Sequence, residues 1–286
     1  MNIETLACFP DMHIDTAHGI TGYREAGASH LRTVPVVLLH GIGSGAASWV
    51  RQLDVLGAKR RVLAWDAPGY GASTRVTNES PVAPDYAKAL SAWLDALDIT
   101  RCVLVGHSLG AIIAGSFAAS SPERVSGLLL ISPAAGYGAA SKDMRETKRD
   151  ARLKMLNELG PQGLARERSA NMVSQYGDEA AREWVRWNMA RIVPEGYAQA
   201  THLLANADLA ADIARFRGRI AVAVGAEDAI TPPAACAPIA QAAHVSLQVI
   251  PRAGHAGYVE SPAAYTALID SFCQGIECHM KDGVTQ

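Results

Sequence analysis

The stretch "RCVLVGHSLGAIIAGSF", residues 101–117, restricts the fold more than any other part of the chain. Four apolar residues run directly into Gly106-His107-Ser108-Leu109-Gly110, and a run of small and apolar residues follows. The first run reads as a buried strand and the second as a helix. A strand that turns this sharply into a helix needs small residues around the turn, where the backbone must fold back on itself. In that setting G-x-S-x-G lifts the serine hydroxyl above the C-terminal end of the strand, with the positive end of the helix beside it. Ser108 is therefore the candidate nucleophile. The competing reading is a glycine-rich turn with an idle serine; the flanking strand and helix speak against it.

The same alternation extends along the chain. Apolar runs at 34–39, 62–65, 102–105, 128–131, 220–224 and 245–250 are continuous, as in strands buried on both faces of a parallel sheet. Helical stretches separate most of them; "DYAKALSAWLDALDI" places Tyr86, Leu90, Trp93, Leu94 and Leu97 on one face. The order predicts an α/β fold. "MHIDTA" and "ITGYREAG" predict a hairpin around His18-Gly19. Between Pro133 and Arg217 no strand pattern occurs, and three charged, amphipathic segments predict a helical insertion. The expected division is a core of 1–133 and 213–280, a helical cap of 134–212 and a tail of 281–286. The basic run "RETKRDARLK" reads as a solvated helix face.

A serine nucleophile needs a base, and the base needs an orienting acid. In a sheet of this kind they follow in the order acid, then histidine. "IAVAVGAEDAITPP" supplies a strand, a small turn and Asp228, with Glu227 as its competitor. "LQVIPRAGHAGYVESP" supplies the next strand and His255. Both residues lie just past the C-terminal ends of strands, where active sites of such sheets assemble. The earlier strand end, "LLLISPAAG", offers Ser132 and no acid.

A different reading comes from "VVLLHGIGSGAAS". Gly41, Gly43 and Ala46 fit G-x-G-x-x-G/A, and Asp66 stands where a ribose-binding acid would. It leaves Ser108, Asp228 and His255 unexplained. Composition narrows the classes further. The 286 residues are 49% hydrophobic and 19% charged with a net charge of −2, ordinary for a soluble enzyme. That charge gives no electrostatic case for nucleic acid or an anionic membrane, and no apolar run approaches the ~20 residues of a membrane-spanning helix. The N-terminus carries Glu4 and Asp11 and no basic region, unlike a signal peptide. Five cysteines without a C-x-x-C pair argue against a disulfide framework or zinc site and fit a cytoplasmic setting. Cys278-His279 reads as a frayed terminus rather than a metal site.

His40-Gly41 with its glycine-rich loop, "WDAPGYGAS", "GHSLG" and "GHAGYVESP" together resemble the α/β-hydrolase superfamily, over nearly the whole chain. The resemblance implies a mostly parallel central sheet with helices on both faces and a helical cap. It implies that the backbone N–H groups of Ile42 and Leu109 hold an oxyanion, and that Asp66 has a structural role. It implies a small-molecule substrate and no metal or organic cofactor. Parts of the chain are similar to 3-oxoadipate enol-lactonase and its esterase relatives. Others resemble meta-cleavage product hydrolases, which cut carbon–carbon bonds; those carry Trp after the histidine and often Asn in the elbow, where this chain has Ala256 and His107. The expected reaction is therefore hydrolysis of a carboxylic ester or lactone through an acyl-enzyme, with carbon–carbon hydrolysis as the alternative. A ligand receptor that keeps the triad is a further reading, and Ser108 speaks against the relatives that use an aspartate nucleophile. Arg182, Arg186, Trp184 and Trp187 form either a carboxylate clamp or a packed stripe beside a solvated one.

Overall fold

The apolar runs assemble into one eight-stranded sheet in the computed structural model, which describes residues 3–28 and 33–282, and side chains as far as residue 278. After a short helix α1 (Ile3–Ala7), which has no sequence signal of its own, come β1 (Met12–Thr16) and β2 (Gly19–Ala26), the expected hairpin. The remaining strands are β3 (Val36–Leu39), β4 (Val62–Trp65), β5 (Cys102–His107), β6 (Val125–Ile131), β7 (Ile220–Gly225) and β8 (Leu247–Ile250). Their order is β1-β2-β4-β3-β5-β6-β7-β8, with the β1–β2 and β2–β4 pairs antiparallel and the other five pairs parallel. The last strand starts two residues later than the apolar run, because the Val245 N–H still bonds the Ala240 carbonyl at a helix end.

Every residue of β3, β4, β5 and β6 is buried. Alternate side chains serve opposite faces: Val37 and Leu39 join one buried cluster, Val36 and Leu38 the other. On the first face lie α3 (Ala83–Ala96) and α4 (Leu109–Ser120); on the second lies α2 (Val50–Leu56). Helix α4 is buried from Leu109 to Ala118, which its small residues permit.

Between β6 and β7 run α5 (Lys142–Arg168), α6 (Glu179–Met189), α7 (Pro194–Asn206) and α8 (Leu209–Ile213). Side-chain oxygens of Ser141, Asp178 and Asp208 cap the first turns of α5, α6 and α8. Gly160 breaks α5 at φ 60°, ψ −179°, because Pro161 disfavours helical backbone in the residue before it. Leu156, Leu164, Tyr197 and Leu203 of these helices share one buried cluster with Leu39 and Leu109. The basic run is only partly a solvated face: Lys148 and Lys154 are exposed, but Arg152 turns inward to a cavity. The chain ends with α9 (Pro233–Ala242), α10 (Gly257–Glu260) and α11 (Pro262–Asp282). Cys278-His279 is thus helical rather than frayed, and the helix passes the boundary expected at 280. Residues 283–286 of the expected tail lie outside the described residues. No described helix is long and apolar enough to cross a membrane.

The β5–α4 turn has a stringent steric requirement. A methyl on Gly106 would stand 2.6 Å from the Gly110 carbonyl oxygen, and one on Gly110 would overlap the Leu39 carbonyl oxygen. Both neighbours are backbone and cannot swing aside. Gly110→Ala is therefore expected to cost about 3 kcal/mol or more, read as a Tm drop or loss of soluble protein. A Tm equal to that of the unaltered chain would contradict the close approach.

Candidate active site

Ser108 sits at the junction of β5 and α4 with φ 54° and ψ −113°. This conformation costs a non-glycine residue about 1–3 kcal/mol, and persists only where the surroundings enforce it. Here they do: the Ser108 N–H donates to the Ile131 carbonyl (3.1 Å), and its own carbonyl accepts from Ala111 (3.1 Å) and Ala134 (3.2 Å). Although Ser108 occupies the N-cap position of α4, its hydroxyl does not cap the helix. Ser108 lines a cavity of about 260 Å³.

His255 borders the same cavity. Its Nδ1 bonds both oxygens of Asp228, at 2.9 and 3.1 Å, with the two side chains 1% and 0% exposed. Glu227 points elsewhere and accepts from Gln175 at 3.2 Å. The Asp228 carboxylate is further held by the N–H groups of Ile230 (2.9 Å) and Thr231 (2.8 Å) and lies 3.0 Å from the Thr231 hydroxyl. Burial alone would raise its pKa, but hydrogen bonding and charge from His255, with the Thr231 N–H, bring it down to about 2. Its stabilising contribution is thus present above the usual 3.8 and is lost as pH falls through about 2. Among the described hydrogen bonds none joins Ser108 to His255; such contacts often tighten only when substrate arrives.

The loop after β3 carries Ile42, one of the two expected backbone donors; Leu109 opens α4. His40 Nδ1–H donates to the Gly41 carbonyl (2.8 Å), and its Nε2 accepts from the Ala67 N–H (3.0 Å). Burial lowers the His40 pKa, which keeps this neutral tautomer. The Gly41 carbonyl also accepts from Ser44 (3.1 Å). In a trans peptide the following N–H points the opposite way, so the Ile42 N–H is turned from these partners. Ile42 and Leu109 both line the cavity, and neither N–H has an acceptor among the described hydrogen bonds. Tyr70, which lies within "WDAPGYGAS" but has no role expected there from the sequence, donates from its hydroxyl to the Ile42 carbonyl (2.8 Å) and fixes the next peptide. Asp66 is half-buried and accepts from the Ala46 N–H (2.8 Å), so the acid of the dinucleotide reading is committed to holding this loop.

Residues 36–268 match the alpha/beta hydrolase family. The chain belongs to that family. A relative from Variovorax paradoxus, RutD, named for carbamate hydrolysis, is 30% identical over 82% of this chain and 90% of its own length. A mouse (lyso)-N-acylphosphatidylethanolamine lipase is 33% identical, but the match spans 35% of this chain and 30% of the lipase. An esterase of Thermogutta terrifontis, with malate bound, superposes with a TM-score of 0.81 at 25% identity, covering 93% of this chain and 99% of its own. The enol-lactonase of Burkholderia xenovorans LB400 superposes at 0.80 with 22% identity, over 92% and 100%, a likeness of fold.

In this α/β-hydrolase His107 bears on the His255 loop. Its Nε2–H donates to the His255 carbonyl (2.9 Å), and its ring packs 4.8 Å from that of His255. Burial first, and then the neighbouring His255, lower the His107 pKa to about 3. Between an unfolded value near 6.5 and about 3, the unfolded chain binds a proton here that the folded chain does not. Stability is therefore expected to fall with acid across that window, by up to about 1.4 kcal/mol per pH unit for one such group. In denaturant titrations from pH 7 to 4, His107→Asn should show a shallower loss than the unaltered chain; equal slopes would contradict the assignment.

The helices between β6 and β7 supply the cavity's other wall. Its apolar part includes Leu164, Val185, Met189 and Leu204, and its polar part Arg152, Arg168, Asn188 and Tyr197. Trp184 and Trp187 instead stack on each other, ring centres 4.7 Å apart, with Trp184 wholly buried. Arg182 donates to the carbonyls of Gly177 and Ser174, and Arg186 is exposed. This is the packed stripe beside a solvated one, and none of the four borders the cavity. Ala256 does border it. Glu260 ties the His255 loop to the insertion, accepting from the Gly254 N–H and from the N–H (2.9 Å) and hydroxyl (2.8 Å) of Ser174. Among the described residues no three His, Cys, Asp or Glu side chains are grouped to hold a metal.

Proposed function

We propose that this α/β-hydrolase cleaves a small-molecule carboxylic ester or lactone through an acyl-enzyme on Ser108, with His255 as general base and acid and Asp228 as its orienting partner. The observation that carries the reading is the meeting, at one cavity, of a serine held at φ 54° and a buried histidine whose Nδ1 is bonded to a carboxylate. With Nδ1–H given to Asp228, Nε2 carries the lone pair and takes the Ser108 proton as Oγ attacks the carbonyl carbon. The carbonyl oxygen becomes an oxyanion and accepts from the N–H groups of Ile42 and Leu109, each donor worth about 3 kcal/mol in comparable sites. As the intermediate collapses, His255 returns the proton to the leaving alkoxide; in a lactone that alcohol stays tethered to the acyl group. Water, deprotonated by His255, then attacks the acyl-enzyme, and Ser108 leaves with the proton. The same residues serve every step, and no metal or organic cofactor takes part.

The helices of 134–212 act in this reading as a cap that closes the acyl or alcohol pocket over Ser108. Ester and lactone hydrolysis asks nothing further of the site. Carbon–carbon hydrolysis requires in addition a keto tautomer and protonation of carbon, and Ala256 offers no side chain for either. The test is steady-state turnover of matched 4-nitrophenyl esters, lactones and 2-hydroxy-6-oxo-dienoates. Ester or lactone kcat/KM should exceed that for any dienoate by about a hundredfold, or ~2.7 kcal/mol in barrier. A faster dienoate would transfer the assignment to carbon–carbon hydrolysis.

A further inference from the structure

Two guanidinium groups, Arg152 and Arg168, line the same cavity as Ser108, and among the described residues no carboxylate does. They come from α5 on either side of its break at Gly160. Arg152 donates to the Tyr197 hydroxyl at 3.1 Å, and Tyr197 borders the same cavity. Arg168 faces the thioether of Met155, Nη1 to Sδ 3.6 Å. A phenol oxygen and a thioether are uncharged acceptors and balance no positive charge. Other arginines withdrawn from water are better served. Arg24, Arg60 and Arg61 meet carboxylates, and Arg145 and Arg182 meet backbone carbonyls. Arg152 and Arg168 are both half-buried, yet neither belongs to a described ion pair. A cation held partly out of water without a counter-charge is costly. The cost is recovered when an anion occupies the cavity.

We infer that Arg152 and Arg168 bind an acid group on the part of the substrate remote from the scissile bond, so that the preferred substrates are esters or lactones carrying a free carboxylate. This rests on the ester or lactone reading of Ser108. The planar fork of a guanidinium matches a carboxylate with two parallel hydrogen bonds, and Tyr197 holds the Arg152 fork in place. The apolar remainder of the wall, Leu164, Val185, Met189 and Leu204, suits the hydrocarbon that joins the two functional groups. Arg152 is also near the loop after β3: its charge works against the burial that raises the Tyr70 hydroxyl pKa, and that hydroxyl holds Ile42. An acid bound there would sit within reach of the same active site.

The experiment compares mono-4-nitrophenyl adipate with 4-nitrophenyl hexanoate, which differ only in a terminal carboxylate against a methyl group. The unaltered chain should favour the adipate ester by about tenfold or more in kcat/KM, the size of a charge-assisted hydrogen bond. Arg152→Met and Arg168→Met should each lower that ratio, the double variant should bring it near one, and Arg152→Lys should restore part of it. A second measurement does not need turnover: adipate titrated calorimetrically into Ser108→Ala should bind at least about tenfold more tightly than into Ser108→Ala with Arg168→Met. Turnover of both esters at equal efficiency overturns the acid site and leaves the ester reading standing. A proportional loss of both esters in the arginine variants, with an unchanged ratio, also overturns it, since a purely structural role behaves that way. If neither ester is turned over but adipate binding still depends on Arg168, the ester reading falls and the acid site remains.

Discussion

Replacing Ser108 by alanine is expected to lower kcat by about 10⁴-fold or more while leaving the fold and ligand binding in place. Members of such a triad act as a unit, so loss of the nucleophile removes nearly all that the unit contributes. The substitution is structurally mild. The Ser108 hydroxyl caps nothing, and the backbone bonds that impose φ 54° come from Ile131, Ala111 and Ala134, none of which touches Oγ. Tm should therefore stay within a few degrees, about the shift that 1 kcal/mol produces. A variant that kept more than about a tenth of the activity would exclude Ser108 as nucleophile.

The second large effect is expected at Asp228. Asp228→Asn should reduce kcat by about 10⁴-fold, the loss found when an amide sets the wrong histidine tautomer in a triad of this type. The surrounding donors explain why. Oδ1 receives the N–H groups of Ile230 and Thr231, so an amide would keep its oxygen there. Its NH₂ would then replace Oδ2, 2.9 Å from His255 Nδ1, and donate to it. Nε2 would carry the proton and could not accept one from Ser108. Glu227→Gln, whose contact is a partly exposed bond to Gln175, should change kcat by less than about fivefold. The reverse pattern would assign the orienting role to Glu227.

The elements legible in the sequence were those with local causes. Continuous apolar runs fall on the strands because burial on both faces leaves no polar position, and β3 to β6 are buried throughout. The glycines around Ser108 were legible because their need is steric and spans five residues. The positions of Asp228 and His255 followed from strand ends. What escaped was set by contacts distant in sequence. Tyr70 and Ile42 are joined by a bond across 28 residues, and Glu260 and Ser174 by bonds across 86. Thr231, which bridges Asp228 and the Ser132 carbonyl, looks like any turn residue. Arg152 carried a signal that was outweighed: it lies one turn before the buried Leu156, on the inner face of α5, within a run otherwise rich in exposed charge.

The neutral imidazoles at His40 and His107 show a common economy. Each donates to one backbone carbonyl, of Gly41 and of His255. Burial lowers the pKa of both and favours the neutral ring at each.

The central claim is a covalent intermediate on Ser108. The most direct measurement is peptide mapping by mass spectrometry after reaction with 4-nitrophenyl dimethylcarbamate, whose carbamoyl adduct is slow to hydrolyse. The account predicts one dimethylcarbamoyl group per chain, on the peptide containing Ser108, with an equal release of 4-nitrophenol and loss of esterase activity. A label on another residue, or full inactivation without any label on that peptide, would contradict it.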